Sequence, residues 1–446
     1  MNQKTISQFL SNEYKDFAMY VIEGRAIPSV IDGFKPSQRK IINSCSDIWK
    51  NGSEKPLKIF QLAGKVAAEQ FYHHGNTSLE DAVITMAQKF KNNMPLLDEI
   101  GQFGSLRSPN PGAARYIGTK LNKNFRLLYK DFELLTYKEE EGCVIEPHYF
   151  LPIIPTVLIN GSMGVAVGFS SNILNRDPLD IINACESILK NKKYSIIKPQ
   201  IQGFTGQFIN DPENPKRWII RGIFNITNTS TVKILELPPS MTYEKYESIL
   251  DELVKDGVIV SYDDNCKDNI DYTIKFTRES LSQLSEEKLI KTLKLEEYST
   301  ELFTTLDEFG KLKLFDNDSD IIEYFVSFRL KYYIKRKEFI LNKMNQDLKL
   351  LQNRGRFIKF ILDGKLEIKN RPKTDIILDI EKLGLDKIDD SYDYLLRMQI
   401  WSLTKEMFEK LKEDYINNKK EMEDFSKIDS KDMYLTDLSD LKKKLK

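Results

Sequence analysis

Between residues 34 and 90, apolar side chains recur at helical spacing in three short runs. In FKPSQRKIINSCSDIW, Ile41, Ile42, Cys45 and Ile48 share one face, and Pro36 sits in the first turn, where a helix accepts proline. A break at NGSEKP leads to LKIFQLAGKVAAEQF. The third run, SLEDAVITMAQKF, places Leu79, Val83, Met86 and Phe90 on one side, with Thr77 and Glu80 spaced as a capping box. A Gly/Pro-rich excursion follows over 91–112. Two helices around a tight break, a third helix and such an excursion predict a helix-turn-helix with a wing, an arrangement that sets one helix in the DNA major groove. The same pattern suits any small helical domain.

From about 149 to 320 the period shortens to that of strands, in TVLING, VAVGF, RWIIRGIFNI, TVKILEL, DYTIKF and ELFTTL, with a helix at YEKYESILDELVKDG. This predicts an α+β domain. Near 321 a seven-residue step begins, in Ile334, Leu341, Leu348 and Leu362, with Met344, Leu351 and Ile358 between them and Gly355 as the weak member. Such a helix would reach about 65 Å. A second stripe, Leu403, Met407, Leu411 and Tyr415, runs through WSLTKEMFEKLKEDYINNKKEMEDF. Two long helices around an insert at about 365–400 predict an antiparallel coiled-coil arm with a small globular tip. The fold class expected is therefore α+β multidomain.

Composition narrows this picture only in places. The chain has 446 residues and 41% hydrophobic content, enough for two or three folded domains. Lys and Arg balance Asp and Glu at 66 each, but residues 1–130 hold 18 basic against 11 acidic side chains, an excess of seven that suits a polyanionic partner or a solvated basic face. Cys45, Cys143, Cys185 and Cys266 form no metal-ligand spacing, which fits a reducing cytoplasm. FLPIIPTVLINGSMGVAVGF is long enough to raise a membrane span, but its prolines, glycines and Asn160 favour buried strands and turns, and no membrane is expected.

Several chemistries are excluded by motif. There is no GxxxxGK[ST], HExxH or GxSxG, and DNDSD at 316–320 lacks the later glycine and glutamate of a calcium loop. What remains is cationic and aromatic: Arg25, Lys35, Arg39 and Lys40 in RAIPSVIDGFKPSQRK, His73 and His74 in FYHHGN, and Arg115 beside Tyr116 in SPNPGAARYIGTK. Taken singly, each cation suits a surface ion pair and each histidine a structural role. Together they suit phosphate contacts.

RAIPSVIDGFKPSQRK, QLAGKVAAEQFYHHGN, IGQFGSLR, AARYIGTKL, PHYFLPIIPTVLINGSMGVAVGFSSNI, FRLKYYIKRKE, RFIKFILDGK and DYLLRMQIWSLTKE occur in that order. The series resembles the DNA breakage-reunion portion of type IIA topoisomerases, nearer the eukaryotic than the gyrase pattern. The length is similar to that of the separate medium subunit of T-even-type phage members.

The resemblance implies a winged-helix domain over 1–148, a tower domain over 149–320 and a coiled-coil arm over 321–446 whose tip forms a dimerising gate. It implies that Tyr116 is the nucleophile and Arg115 its phosphate-stabilising neighbour, that Arg25, Lys35, Arg39, Lys40 and His74 lie at or near the scissile phosphate, and that Ile173 wedges between base pairs, although Leu174 replaces the family's usual proline after it; His73 is expected at DNA from its place beside His74. The ATPase and the acidic TOPRIM motifs are not found in these residues, so double-stranded DNA, a second copy and partner chains supplying ATP turnover and most magnesium ligands are expected, with no metal site in this chain. Without a C-terminal β-propeller, relaxation and decatenation are favoured over supercoiling. The competing reading is a non-catalytic architectural DNA binder with a coiled-coil dimer arm.

Overall fold

In the computed structural model, residues 5–50, 55–195, 197–267, 269–388, 390–399 and 403–445 are described. The chain divides into two compact units, Met1–Arg329 with Asp437–Lys446, and Leu330–Thr436. Most of the NGSEKP break, and Trp401 and Ser402 at the start of the second helical stripe, lie outside the described residues.

The first unit opens on a helical stretch running from Ile6 to Ala26. The three amphipathic runs form α1 (Pro36–Ile48), α2 (Ile59–Glu69) and α3 (Asn76–Ala87). Pro36 occupies the first helical turn of α1, and Gln38 accepts the Lys35 N–H at 2.9 Å. Ile41, Ile42, Cys45, Leu62, Val66, Leu79 and Val83 are all fully buried where the three helices meet. The capping box expected at Thr77 is not formed: α3 starts two residues earlier on Gly75, whose carbonyl accepts from the Ser78 backbone and hydroxyl. Phe90 falls beyond the last turn of α3, because Gln88 is already extended.

Beyond these helices the unit is built of antiparallel ladders. A hairpin pairs Ser162–Val165 (β1) with Ser170–Ile173 (β2). A three-stranded sheet orders Glu296–Thr300, Arg217–Arg221 and Gln207–Asn210. A four-stranded sheet runs Ile223–Asn228, Thr231–Glu236, Tyr272–Lys275 and Ser261–Asp264, and Val232, Ile234, Tyr272 and Ile274 bury one face against Tyr246 and Leu250 of the helix Tyr243–Lys255. TVLI, expected as a strand, is instead one helical turn, Thr156–Ile159, with all four residues buried. A segment enclosed on every side shows no amphipathic period, and its length alone points to neither state.

The helix Asp318–Leu362 has 45 residues, the first of which belong to the first unit. Within the second unit, Lys337 donates to the Ile428 carbonyl at 2.6 Å and Tyr333 stacks on Tyr434 with ring centroids 4.4 Å apart. Leu348 and Ile358 are buried as the seven-residue step requires, but Ile334 and Leu362 are each 47% exposed, and Tyr333 takes the inward position. An α-helix of 3.6 residues per turn drifts against a strict seven-residue repeat, so the buried stripe crosses from one column of side chains to the next. Between the long helices, Phe357, Leu366, Ile376, Ile380, Leu385, Tyr392 and Leu395 form a separate small core. The helix Lys405–Lys427 contributes no fully buried residue, and its stripe of Met407, Leu411 and Tyr415 is half-buried.

Candidate nucleic-acid interface

The segment carrying RAIP and GFKP is held by Asp32. Its carboxylate accepts from Arg39 Nε at 2.7 Å, from a terminal Arg39 nitrogen at 3.0 Å, and from the Phe34 and Phe150 backbones, while its carbonyl accepts from Tyr129 and Thr156 hydroxyls. Gly33 turns the chain at φ +73°, and a Cβ there would meet Thr156 Oγ1 and the Val157 nitrogen at 2.8 Å. Arg39, expected at a phosphate, is thus buried in a bidentate pair with Asp32. Its guanidinium fastens the turn that aims Lys35.

Lys40 is also engaged, with Glu146 at 2.9 Å and with the carbonyl of Gln70, the C-cap of α2. Lys35 donates to the Met163 carbonyl at 2.8 Å, and burial lowers its ammonium below the ordinary lysine value. An anion set down beside it would favour the charged form. Arg25 is exposed, with no ion-pair partner among the described residues.

His74 meets the Tyr20 hydroxyl at 2.8 Å, and its ring packs edge-on to Tyr72 at 5.2 Å. His73 is exposed and bonds Glu140 at 2.7 Å; that hydrogen bond holds the Glu140 carboxyl below the usual carboxylate range. Lys40, His73 and His74 therefore lie at the C-terminal end of α2, His74 held by Tyr20, while Lys35 is held by the β1–β2 hairpin.

Tyr116 lies elsewhere. Ile59 and Phe60, in the first turn of α2, donate to the Ile117 and Ala114 carbonyls, and Lys58 Nζ donates to the Tyr116 carbonyl at 2.5 Å. Ile117 is buried, and the next two residues pair with Leu57 and Lys58. Tyr116 itself is 70% exposed, with the Arg115 guanidinium 5.3 Å from its ring. The phenol is thus presented by a fixed backbone at the opposite end of α2 from the histidines. Eleven residues of helix make α2 roughly 16 Å long between the two backbone positions.

Ile173, the expected wedge, ends the second strand of a hairpin. In the β1–β2 hairpin, Ser162 pairs with Ile173, Gly164 with Ser171, and Val165 with Ser170. Opposed residues share a face, so Ile173, 3% exposed, lies on the inner face, while Met163 and Val165 are 76% and 81% exposed on the outer one. Gly164 packs flush: a Cβ there would stand 2.0 Å from the Ala26 carbonyl oxygen. Met163 and Val165 are thus the apolar side chains that the hairpin presents to solvent, and alternation along SMGV was the signal that could have found them. Lys58, Tyr20 and Asp32 were likewise not singled out from sequence, because their partners lie 58, 54 and 7 residues away.

Among the described residues no group of three His, Cys, Asp or Glu side chains could hold a metal ion, and no helix is long and apolar enough to cross a membrane. All four cysteines are free.

Comparison with known proteins agrees with this geometry. Residues 25–442 match the family described as the DNA gyrase/topoisomerase IV A subunit. The DNA topoisomerase medium subunit of Enterobacteria phage T4 is 34% identical over 448 residues, covering 99% of this chain and 100% of that one. The mitochondrial DNA topoisomerase 2 of Dictyostelium discoideum is 34% identical over 461 residues, but the match spans only 35% of its length. The DNA-binding, cleavage and re-ligation domain of Plasmodium falciparum topoisomerase II superposes with a TM-score of 0.85 at 31% identity, covering 98% of this chain and 64% of that one. The chain belongs to the family of DNA gyrase/topoisomerase IV A subunits, within the type II DNA topoisomerases.

Proposed function

We propose that this chain is the DNA breakage-reunion subunit of an ATP-dependent type IIA topoisomerase that relaxes and decatenates duplex DNA. Residues 1–148 act as a winged-helix domain, 149–320 as a tower, and 321–446 as a coiled-coil arm whose tip at about 365–400 closes a dimer gate. The observation that carries the reading is Tyr116, an exposed phenol on a backbone pinned to the start of α2, with Arg115 against its ring.

Tyr116 Oη attacks a backbone phosphorus, losing its proton. The phosphorus–O3′ bond breaks, the departing oxygen takes a proton, and a 5′-phosphotyrosyl link replaces the phosphodiester. One ester is exchanged for another, so the reverse step reseals the strand without external energy. Arg115 offers a planar fork to the phosphate oxygens, which a lysine would match less well. Arg25, Lys35 and His74 are assigned to the phosphates near the break, His73 to a flanking contact, and Lys40 to holding the end of α2. Val165 takes the wedge, where an apolar side chain lets the duplex bend.

The roughly 16 Å of α2 between the backbones that carry Tyr116 and His74 exceeds the reach of one phosphate. A working site then combines Tyr116 of one copy with Arg25, Lys35 and His74 of a second, and two such sites cut both strands. Magnesium ligands and ATP turnover are assigned to partner chains carrying TOPRIM and ATPase domains; among the described residues no group of three His, Cys, Asp or Glu side chains gathers to hold a metal ion. The exposed face of the first helical stretch, with Ile6, Leu10, Phe17 and Tyr20, suits such a partner.

The test is rapid denaturation of a mixture of the protein, its partner chains, magnesium and supercoiled DNA. Wild type should yield covalent protein–DNA adducts and Tyr116→Phe none. Adducts that persist in the variant, or never form in wild type under any partner and magnesium condition, overturn the reading.

A further inference from the structure

We infer that Arg107 is a positioning residue for the cleavage step, tying the loop that presents Tyr116 to the four-stranded sheet; this rests on the reading of Tyr116 as the nucleophile. Residues 101–117 contain no helix or strand. The loop's own hydrogen bonds are local, from Gly112 to the Gln102 carbonyl, from the Gln102 side chain to the Asn110 carbonyl, and between Ser105 and Ser108. Arg107 points out of that turn and is 7% exposed.

Its four terminal N–H donors are matched one to one. One nitrogen donates to the Pro238 and Met241 carbonyls at 2.6 and 2.9 Å, the other to Glu236 Oε1 and the Leu237 carbonyl at 2.6 and 2.5 Å. The Arg107 carbonyl accepts from Tyr243 N at 3.1 Å, at the start of the helix Tyr243–Lys255. Glu236 is fixed in turn, since Oε2 accepts from the Thr205 backbone and hydroxyl at 3.0 and 2.8 Å. A cavity of about 630 Å³, lined by Phe90, Glu99, Tyr243 and Lys267 among others, lies beside the loop, and Gln88 donates to the Phe103 carbonyl at 2.8 Å. Among the described residues, every hydrogen bond from the loop to residues beyond 200 runs through Arg107.

The loop is therefore anchored on α2 near Tyr116, on Gln88 after α3, and on the sheet through Arg107. A planar fork with four aligned donors does this, and the single ammonium of lysine cannot reproduce it. Displacing a reacting group by about 1 Å can cost on the order of a hundredfold in rate, so loosening this tie lowers cleavage without touching a DNA contact.

The experiment compares wild type, Arg107→Lys, Arg107→Ala, Glu236→Gln and Lys267→Ala in the complete complex. Single-turnover cleavage, DNA affinity and melting temperature are measured for each. Arg107→Lys and Glu236→Gln should cleave and religate at least tenfold more slowly, and Arg107→Ala about a hundredfold, with DNA affinity within twofold of wild type. Lys267→Ala, at the rim of the same cavity, should match wild type. Should Arg107→Ala fail to fold, Arg107→Lys and Glu236→Gln decide the matter. Wild-type cleavage by folded Arg107→Lys, or a loss of affinity equal to the loss of rate, overturns the inference. Absence of Tyr116 adducts in wild type would instead strike the functional reading.

Discussion

Ile173 and Val165 stand eight residues apart and do opposite work. Ile173 is enclosed on the inner face of its hairpin, so truncating it removes buried contacts, whereas Val165 projects from the outer face. Ile173→Ala should cost about 2–5 kcal/mol of stability, read as a lowered melting transition. Val165→Ser should leave melting unchanged and reduce the bend in bound DNA, measured by energy transfer between dyes at the duplex ends. A stability loss at Val165 with no change in bend would return the wedge to another residue. Cationic character was legible in RAIP, GFKP and YHHG, but its deployment was not. Arg39 is captured by Asp32 because Gly33 reverses the chain between them, and His73 by Glu140 because a distant hairpin passes beside it. Which partner claims a charge is a property of the folded backbone, and identical residue types in the same motif can end as strut or as ligand.

At the scale of elements, period was the reliable guide wherever one face is wet. The helices α1, α2 and α3 and the strands Thr231–Glu236 and Tyr272–Lys275 stand where their patterns place them, whereas Ser261–Asp264, without an apolar alternation, is a strand that the pattern misses. The pattern gave less at helix starts, where α3 uses a glycine carbonyl in place of the Thr77 hydroxyl, and at Thr156–Ile159, whose burial on all sides leaves no polar face to read. The long helix departs in its seam, because the stacking of Tyr333 on Tyr434 turns Ile334 outward. Gly355 within that helix has open space where a Cβ would go. Gly355→Ala should therefore stabilise the protein by about 0.5–1 kcal/mol by restricting the unfolded chain, seen as a raised melting temperature. A drop would mean that the position needs the glycine for close approach of another chain.

For the whole molecule, the decisive quantity is the length of α2. On the proposed reading, Tyr116→Phe and His74→Ala subunits are each inactive as pure dimers, yet a mixture should form hybrids with one intact site, in which the wild-type Tyr116 of one copy meets the wild-type His74 of the other. Gel analysis under denaturing conditions should then show nicked circles bearing protein, without linear product. A mixture no more active than its components would place both residues in one site within a single copy.

The spacing built by those eleven helical residues also sets how cutting responds to concentration. On the proposed reading, a single copy carries a nucleophile that its own cations cannot serve, and a protomer released from its partner is harmless to the genome it binds. At dilutions below the pairing constant, breakage falls with the square of the amount of protein rather than in proportion to it. A helix about three turns long thus serves as a fail-safe against stray double-strand breaks.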